Sequence, residues 1–395
     1  MSKLWEQFIM VVESGDLKLK TVAYIHDFCF YKTYLADNYT AVGMPESYFH
    51  RFFESNFNKV KIYSRNKVEE FSKIENMGFS KIDNPNISLP VTINSYLSLL
   101  NPKVIRSLCK ELRSADLLVI NFPSIIGLYI WFMNLIIRKP YTLEIAADYD
   151  QFKNKRLGSI VTKVFNHAFN KVISGSKGAI FVSNYLKNKY YHPNSIVASN
   201  VTVTDVKEID STICNRKGDI YTILFVGGVN RRKGIGTLID AVQVLVDSGN
   251  RDFVLRIVGG HSDKDYQRIV GNRGLNQYIQ FLGLLNPKQV KIEMERADLY
   301  VQPSYAEGIP RATLEAMSFN LPVLATNLPG FEEILDSRCL VQVGDHFKLA
   351  SLIKSCIKNE PWILETIKLN NKVISSFMFE NLQSKRVNFY TGLGI

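Results

Sequence analysis

Cysteine is scarce in this 395-residue chain, and the five present, Cys29, Cys109, Cys214, Cys339 and Cys356, include no Cys-x-x-Cys pair. Their scatter and odd number exclude a disulfide framework and predict reduced, structural thiols in the cytosol. Zinc-type Cys/His spacing is missing too, as is any repeat that interleaves aromatic residues with Lys or Arg. The formal charge of +11 is therefore read as attraction to an anionic membrane surface, a lipid diphosphate or nucleotide phosphates, and not to nucleic acid. Residues 1–20 hold acids and no long apolar core, which predicts no signal peptide. One run, residues 117–137, is free of charge and long enough to cross a bilayer. Pro123 and Ser124 divide it, so it reads as a strand at 117–121 and a helix from about 124. Its aromatics Tyr129, Trp131 and Phe132 either pack in a core or touch a bilayer surface.

A single core stops growing at about 250–300 residues, so the length predicts two domains. In the amino-terminal half, strands are expected at 21–27, 59–65, 117–121, 141–147, 178–183 and 195–199. A polar run at 205–219 reads as the linker. A second series follows at 221–228, 253–260, 278–285, 299–303, 322–325 and 339–344. Strand and helix in alternation mean crossover units and mostly parallel sheets. The fold class is α/β, with two Rossmann-like domains facing each other across a cleft and ligands at the carboxyl ends of the strands.

The densest chemistry lies at 299–334, LYVQPSYAEGIPRATLEAMSFNLPVLATNLPGFEEI. It reads as a strand, a loop holding Glu307 and Gly308, a helix opened by Pro310 at its first position, and a second strand. Glu307 is then on the loop and Glu315 more than a turn inside the helix. The free amides at the helix start between them make an anion site. Two carboxylates beside such a site suit a ligand with both hydroxyls and phosphate. Glu307, Gly308, Pro310, Leu314, Glu315 and Ala316, with Pro322, Val323 and Thr326, resemble the E-x7-E signature of retaining glycosyltransferases of family 4, which have the GT-B fold. The resemblance implies that Glu307 contacts the donor hexose near the reacting carbon and that Glu315 accepts hydrogen bonds from ribose hydroxyls. It also places Ile309 and Leu314 in the donor site.

The stretch FVGGVNRRKGIGTLIDA is similar to the family's G-R-L-x-x-x-K-G element, through Gly227, Lys233 and Gly234. The usual Arg after the first Gly is Gly228 here, and either Arg231 or Arg232 substitutes for it. Cations at that place would stabilise the diphosphate as it leaves. Gly259 ends the next strand, where the family places a Gly near the nucleotide. Thr326, Gly330 and Glu333 match the T-x-x-G-G-x-x-E-I element with Pro329 replacing one Gly, a pocket wall. Phe377, Phe379 and Glu380 resemble the start of the family's closing helix, which implies domains at 1–203 and 204–376 and a segment, 377–395, that crosses back to the first.

In the amino-terminal domain, Gly43 stands in for a Gly-Gly pair that touches the diphosphate in many relatives. Lys139, Pro140, Tyr141, Glu144 and Asp148 resemble K-P-Y-x-x-E-x-x-G-D, and the His many relatives carry is absent. Asp148 either orients the acceptor hydroxyl or caps a turn. Asp148 and Asp150 also spell D-x-D, a metal motif of the GT-A fold, but cations and a helix terminus can replace the metal, so no metal or other cofactor is expected. The reading is a retaining transfer of a sugar from a nucleoside diphosphate to a glycan or lipid-linked acceptor hydroxyl, at the inner face of the cytoplasmic membrane. A sugar-nucleotide epimerase, a phosphorylase or a non-catalytic partner subunit on the same fold are the alternatives.

Overall fold

The computed structural model describes residues 19–34, 38–40, 44–76, 79–148, 169–204, 206–207, 220–260, 265–358 and 360–395. They divide into two compact units. The first takes the described residues up to 180 with 190–196 and 384–395, and the second takes 181–189 and those from 197 to 383. Helices of eight or more residues among those described are α1 (Pro102–Arg113), α2 (Ile125–Ile137), α3 (Ile235–Asp247), α4 (Pro287–Arg296), α5 (Arg311–Ser318), α6 (His346–Lys358), α7 (Glu360–Ile374) and α8 (Phe379–Thr391).

The first sheet contains β1 (Thr21–Lys32), β2 (Asn38–Thr40), β3 (Lys59–Val68), β4 (Ser80–Lys81), β5 (Ile87–Ser88), β6 (Leu117–Phe122), β7 (Tyr141–Ile145), β8 (Ala179–Phe181) and β9 (Ser195–Val197). The order is β4-β2-β1-β6-β7-β8-β9, with β3 also on β1 and β5 on β3. β1 pairs parallel with β3 and β6, and β6 with β7. Strands buried on both faces read as continuous apolar runs, and every residue of β6 and β7 is buried. The short strands β2, β4 and β5 are absent from the sequence reading, because two or three residues show no period. The first of them pairs antiparallel with β1, and β4 pairs antiparallel with β2.

The central strand β1 runs past its expected end at residue 27. Its pairing with β3 shifts between Ile25, opposite Tyr63, and Cys29, opposite Arg65. The residues His26, Asp27 and Phe28 therefore bulge against Ser64 alone, and a polar pair that looks like a strand end is accommodated inside the strand. Asp27 uses the bulge to accept hydrogen bonds from the amides of Ile125 at 2.7 Å and Ile126 at 3.0 Å. Together with Ser124, whose Oγ accepts from the Gly127 amide at 2.8 Å, it caps α2. The charge-free run is thus strand and helix, as its Pro123-Ser124 break predicts. Among the described residues no helix is long and apolar enough to cross a membrane.

In the second unit β10 (Tyr221–Val226), β11 (Phe253–Val258), β12 (Ile279–Gly283), β13 (Leu299–Gln302), β14 (Val323–Thr326) and β15 (Leu340–Val341) form one sheet in the order β12-β11-β10-β13-β14-β15. All five pairings are parallel. The six strands are those the apolar runs predict. Their side chains and those of α3, α5 and α6 make a continuous core that includes Phe225, Leu238, Ile257, Tyr300, Leu314 and Ile353. Of the expected linker only Val206 and Lys207 are among the described residues beyond 204, and Lys207 is tied down, its amide donating to Ser318 O at 2.9 Å. The Val203 amide donates to Phe377 O at 3.0 Å and the Phe379 amide to Val203 O at 3.1 Å, where the closing helix begins.

Candidate functional site

The loop that follows β13 carries Glu307, and the turn that follows β10 carries its partners. Asn230 opens that turn: its side chain accepts from the Lys233 amide at 3.1 Å, so Arg231–Lys233 forms one turn of 3-10 helix. Gly234 then enters α3 with φ +76, and a Cβ there would lie 1.7 Å from Pro303 O. Only glycine allows this left-handed step at such close backbone approach. The result ties the β10 turn to the β13 loop. Lys233 Nζ is paired with Glu307 Oε1, in a short charge-assisted bond between side chains 18% and 8% exposed. Arg232 donates to Ala306 O at 3.0 Å and stands 3.7 Å from the second oxygen of Glu307.

Glu307 is also held from below. Ser304 Oγ donates to Glu307 Oε1 at 2.9 Å, Gln302 Nε2 donates to Ser304 Oγ at 2.9 Å, and the Tyr300 hydroxyl is 2.5 Å from Gln302 Oε1. These residues stand at i, i+2 and i+4, one face of a strand and its extension, and all three are buried. Burial raises the Tyr300 pKa, and the charges of Glu307 and Glu315 add to that, so the phenol stays a donor. A buried chain of this kind fixes the rotamer of its terminal carboxylate. The sequence reading misses it, although polar residues at alternate positions in an otherwise apolar strand are a visible signal.

Helix α5 starts without a side-chain cap, and Pro310 is its N-cap with φ −80 and ψ 113, one position before the place expected. Its first amides are left for an anion. One turn on, Glu315 lines a cleft of about 600 Å³ with Arg311, Lys291, Thr204, Val226 and Phe319. Burial pushes the Glu315 carboxyl up from the usual carboxylate range, and Arg311 and Lys291 pull against that. Neither cation is among the donor-site residues expected from the sequence.

Of the expected donor-site residues, Glu307, Lys233 and Arg232 are brought together, with Gly308, Ile309 and Pro310 on the same loop. Leu314 is fully buried on the inner face of α5 and packs in the core. Arg231 lines a different cavity, of about 470 Å³, with Thr237, Tyr266, Arg273 and Tyr305. Between the two arginines, Arg232 is the one at Glu307. Gly227 and Gly259 lie backbone to backbone, and Gly228 beside them faces Asn230. The wall element supports the loop: Thr326 Oγ1 donates to Ser304 O at 2.6 Å, and a Cβ on Gly330 would lie 1.8 Å from Gly308 O. Glu333 accepts from the amides of Asn184 at 2.8 Å and Tyr185 at 2.7 Å.

Asp148 belongs to the first unit, just past β7, and accepts from the Tyr190 hydroxyl at 2.5 Å. Gly43 and Asp150 lie outside the described residues. Glu144, four positions before Asp148, is structural. Arg51 donates to its Oε1 at 2.7 Å, Tyr390 to the same oxygen at 2.7 Å, and Tyr48 to Oε2 at 2.9 Å. Burial pushes its pKa up, but Arg51 and Arg386 with the two tyrosines outweigh that and hold it below the usual range. Near it His26 stacks on Tyr24 and Phe28, and the Phe28 amide donates to its Nδ1 at 2.8 Å. Burial lowers its pKa to about 4, against the pull of Glu144.

Residues 206–375 match the family described as Glycosyl transferases group 1. Over its length the chain is similar to protein CapJ of Staphylococcus aureus, 27% identical over 377 residues, covering 92% of this chain and 93% of that one. The O-antigen chain mannosyltransferase RfbU of Salmonella typhimurium is 26% identical over 228 residues, 57% of this chain and 63% of that one. Among solved structures, Alr3699/HepE of Anabaena in complex with UDP superposes with a TM-score of 0.69 at 16% identity, over 94% of this chain and 100% of that one, a likeness of fold. The chain has the GT-B fold, and its second unit carries the glycosyl transferases group 1 domain.

Proposed function

We propose that the protein transfers a sugar from a nucleoside diphosphate to an acceptor hydroxyl with retention of configuration, in the synthesis of a cell-surface polysaccharide or glycolipid. The observation that carries this reading is the pairing of Glu307 with Lys233 beside the uncapped start of α5, with Glu315 in the adjoining cleft. The cleft and the Glu315 carboxylate receive the nucleoside. The diphosphate lies against the α5 amides, Lys233 and Arg232. As the bond from the anomeric carbon to the diphosphate oxygen breaks, the negative charge growing on that oxygen is met by these donors. The acceptor oxygen bonds to the same face of the anomeric carbon, and its proton passes to the departing phosphate oxygen. Glu307 positions the hexose and stabilises the positive charge at its anomeric carbon. No metal is required, because Lys233, Arg232 and the helix amides supply the positive charge. Asp148, in the first unit, orients the acceptor hydroxyl. The relatives named for capsule and O-antigen proteins support an envelope glycan as product, made at the inner face of the membrane.

A thermal-shift panel of nucleoside diphosphates and their sugars, with and without a chelator, tests this. The expected result is a chelator-insensitive rise for one nucleotide that is lost in Glu315→Ala and Lys233→Ala. No rise with any of them would replace transfer by a non-catalytic role on the same fold.

A further inference from the structure

Helix α2 of the first unit is apolar on its outer face as well as on the inner face that buries Ile126, Ile130 and Trp131. A surface helix ordinarily turns its apolar stripe inward and its polar face to water. Here the one amide of the helix, Asn134, is buried, and it closes the carboxyl end by bonding the amide and carbonyl of Lys139, both at 2.9 Å. The outward positions are Ile125, Leu128, Tyr129, Phe132, Leu135 and Ile136, with no charge or amide among them. Ile136 is 80% exposed, and Ile125, Phe132 and Leu135 are each more than half exposed. The patch continues beyond the helix. The Tyr129 hydroxyl donates to Leu99 O at 2.7 Å, which docks the turn at Tyr96–Leu100 beside α2 and sets Leu97 and Leu100, 77% and 72% exposed, next to it. An apolar surface of this extent on a folded domain marks a contact with another phase or molecule.

Charge decides which. Residues 94–140 hold six cations, Lys103, Arg106, Lys110, Arg113, Arg138 and Lys139, against two acids. Both acids are engaged within the unit: Glu111 pairs with Lys61 at 2.7 Å, and Asp116 accepts from the Thr21 amide at 2.8 Å. The four cations of α1 are all exposed, on a helix that packs beside α2. An apolar face flanked by cations fits the boundary of an anionic bilayer, where side chains such as Phe, Leu and Ile enter the headgroup region and Lys and Arg meet phosphates. The thirteen residues of α2 are too few to cross, so the helix lies in the surface.

We infer that the outer face of α2, with Leu97 and Leu100, docks the protein on the surface of an anionic phospholipid bilayer. This deepens the reading of a membrane-proximal acceptor and rests on it only for its purpose, since lipid binding is read without donor or turnover.

The test is sedimentation of the full chain with vesicles of phosphatidylcholine alone or rich in phosphatidylglycerol, at low and high salt. Binding is expected to the anionic vesicles and to weaken with salt. Phe132→Asp with Ile136→Asp is expected to lose at least about tenfold in partitioning, while keeping its melting temperature and any nucleotide-induced shift. Replacing Lys103 and Arg106 by Gln is expected to weaken binding about fivefold per charge. Should the aspartate pair fail to fold, Leu97→Asp on the neighbouring turn is expected to show the same loss. Wild-type protein that ignores anionic vesicles overturns the inference, as does an aspartate variant that binds them undiminished. A lipid-free dimer that the same substitutions turn into monomer overturns it in favour of a second copy.

Discussion

Two carboxylates in this protein each sit among cations, and they are finished differently. Glu144 is sealed: its side chain and that of Arg51 are 3% and 1% exposed, and Tyr48 and Tyr390 bond its remaining lone pairs. Glu307 is nearly as buried, but its partners Lys233 and Arg232 are 18% and 57% exposed. A pair with both members desolvated is a fixed joint, because separating them strands a charge in a low dielectric. A pair whose cations reach solvent can share them with an incoming anion at little cost. Similar residue types therefore make a closed joint in the first unit and, in the proposed function, an open anion site in the second.

Breaking the sealed joint sharpens the contrast most. Arg51→Ala is expected to lower unfolding stability by about 3–5 kcal/mol, read from the denaturant midpoint, and a midpoint near wild type would mean that Glu144 finds other partners. At the open pair the loss moves from stability to rate. Lys233→Ala should keep its melting temperature while turnover falls about 10²–10³-fold, the usual scale for removing one donor from a developing oxyanion. Acid offers a third comparison. Burial holds His26 near 4 against an ordinary 6.5, so between these values the unfolded chain binds the proton and the folded one does not. The stability carried by neutral His26 is whole above pH 6.5 and is lost as pH falls toward 4, up to about 3 kcal/mol. Glu144, held low, adds a loss of the same sign at lower pH. Urea midpoints across this range should fall with acid in the wild type and fall less in His26→Gln. The Ser304→Ala variant tests how far Glu307 depends on its support: kcat should drop about tenfold with KM little changed, and recovery in Ser304→Thr would separate positioning from packing. The smallest effect is expected from the arginines. Arg232→Ala should weaken diphosphate binding several-fold, and Arg231→Ala, which faces another cavity, should leave it unchanged.

The second unit is legible in the sequence strand by strand, because parallel strands covered on both faces are uninterrupted apolar runs. In the first unit β2, β4 and β5 escape such reading, and β1 is read short, since a bulge lets His26 and Asp27 stand inside a strand. Glu307 and Lys233 are visible in the spacing of their motifs. Lys291 is not, because it comes to Glu315 from another helix, α4, whereas Arg311 stands one turn before Glu315 on α5 itself; Glu144 reads as part of a cleft motif while its bonds make it a joint.

What the amino-acid order determined by itself is local: the strand runs, the break at Pro123 and Ser124, the glycine at 234 and the paired glutamates eight positions apart. These follow from steric and hydrophobic preferences that act over a few residues. Which arginine meets Glu307, that a buried chain from Tyr300 stands behind it, and which apolar positions of α2 are left exposed were decided only in three dimensions. Each depends on which elements the sheets bring side by side, and no single segment carries that information.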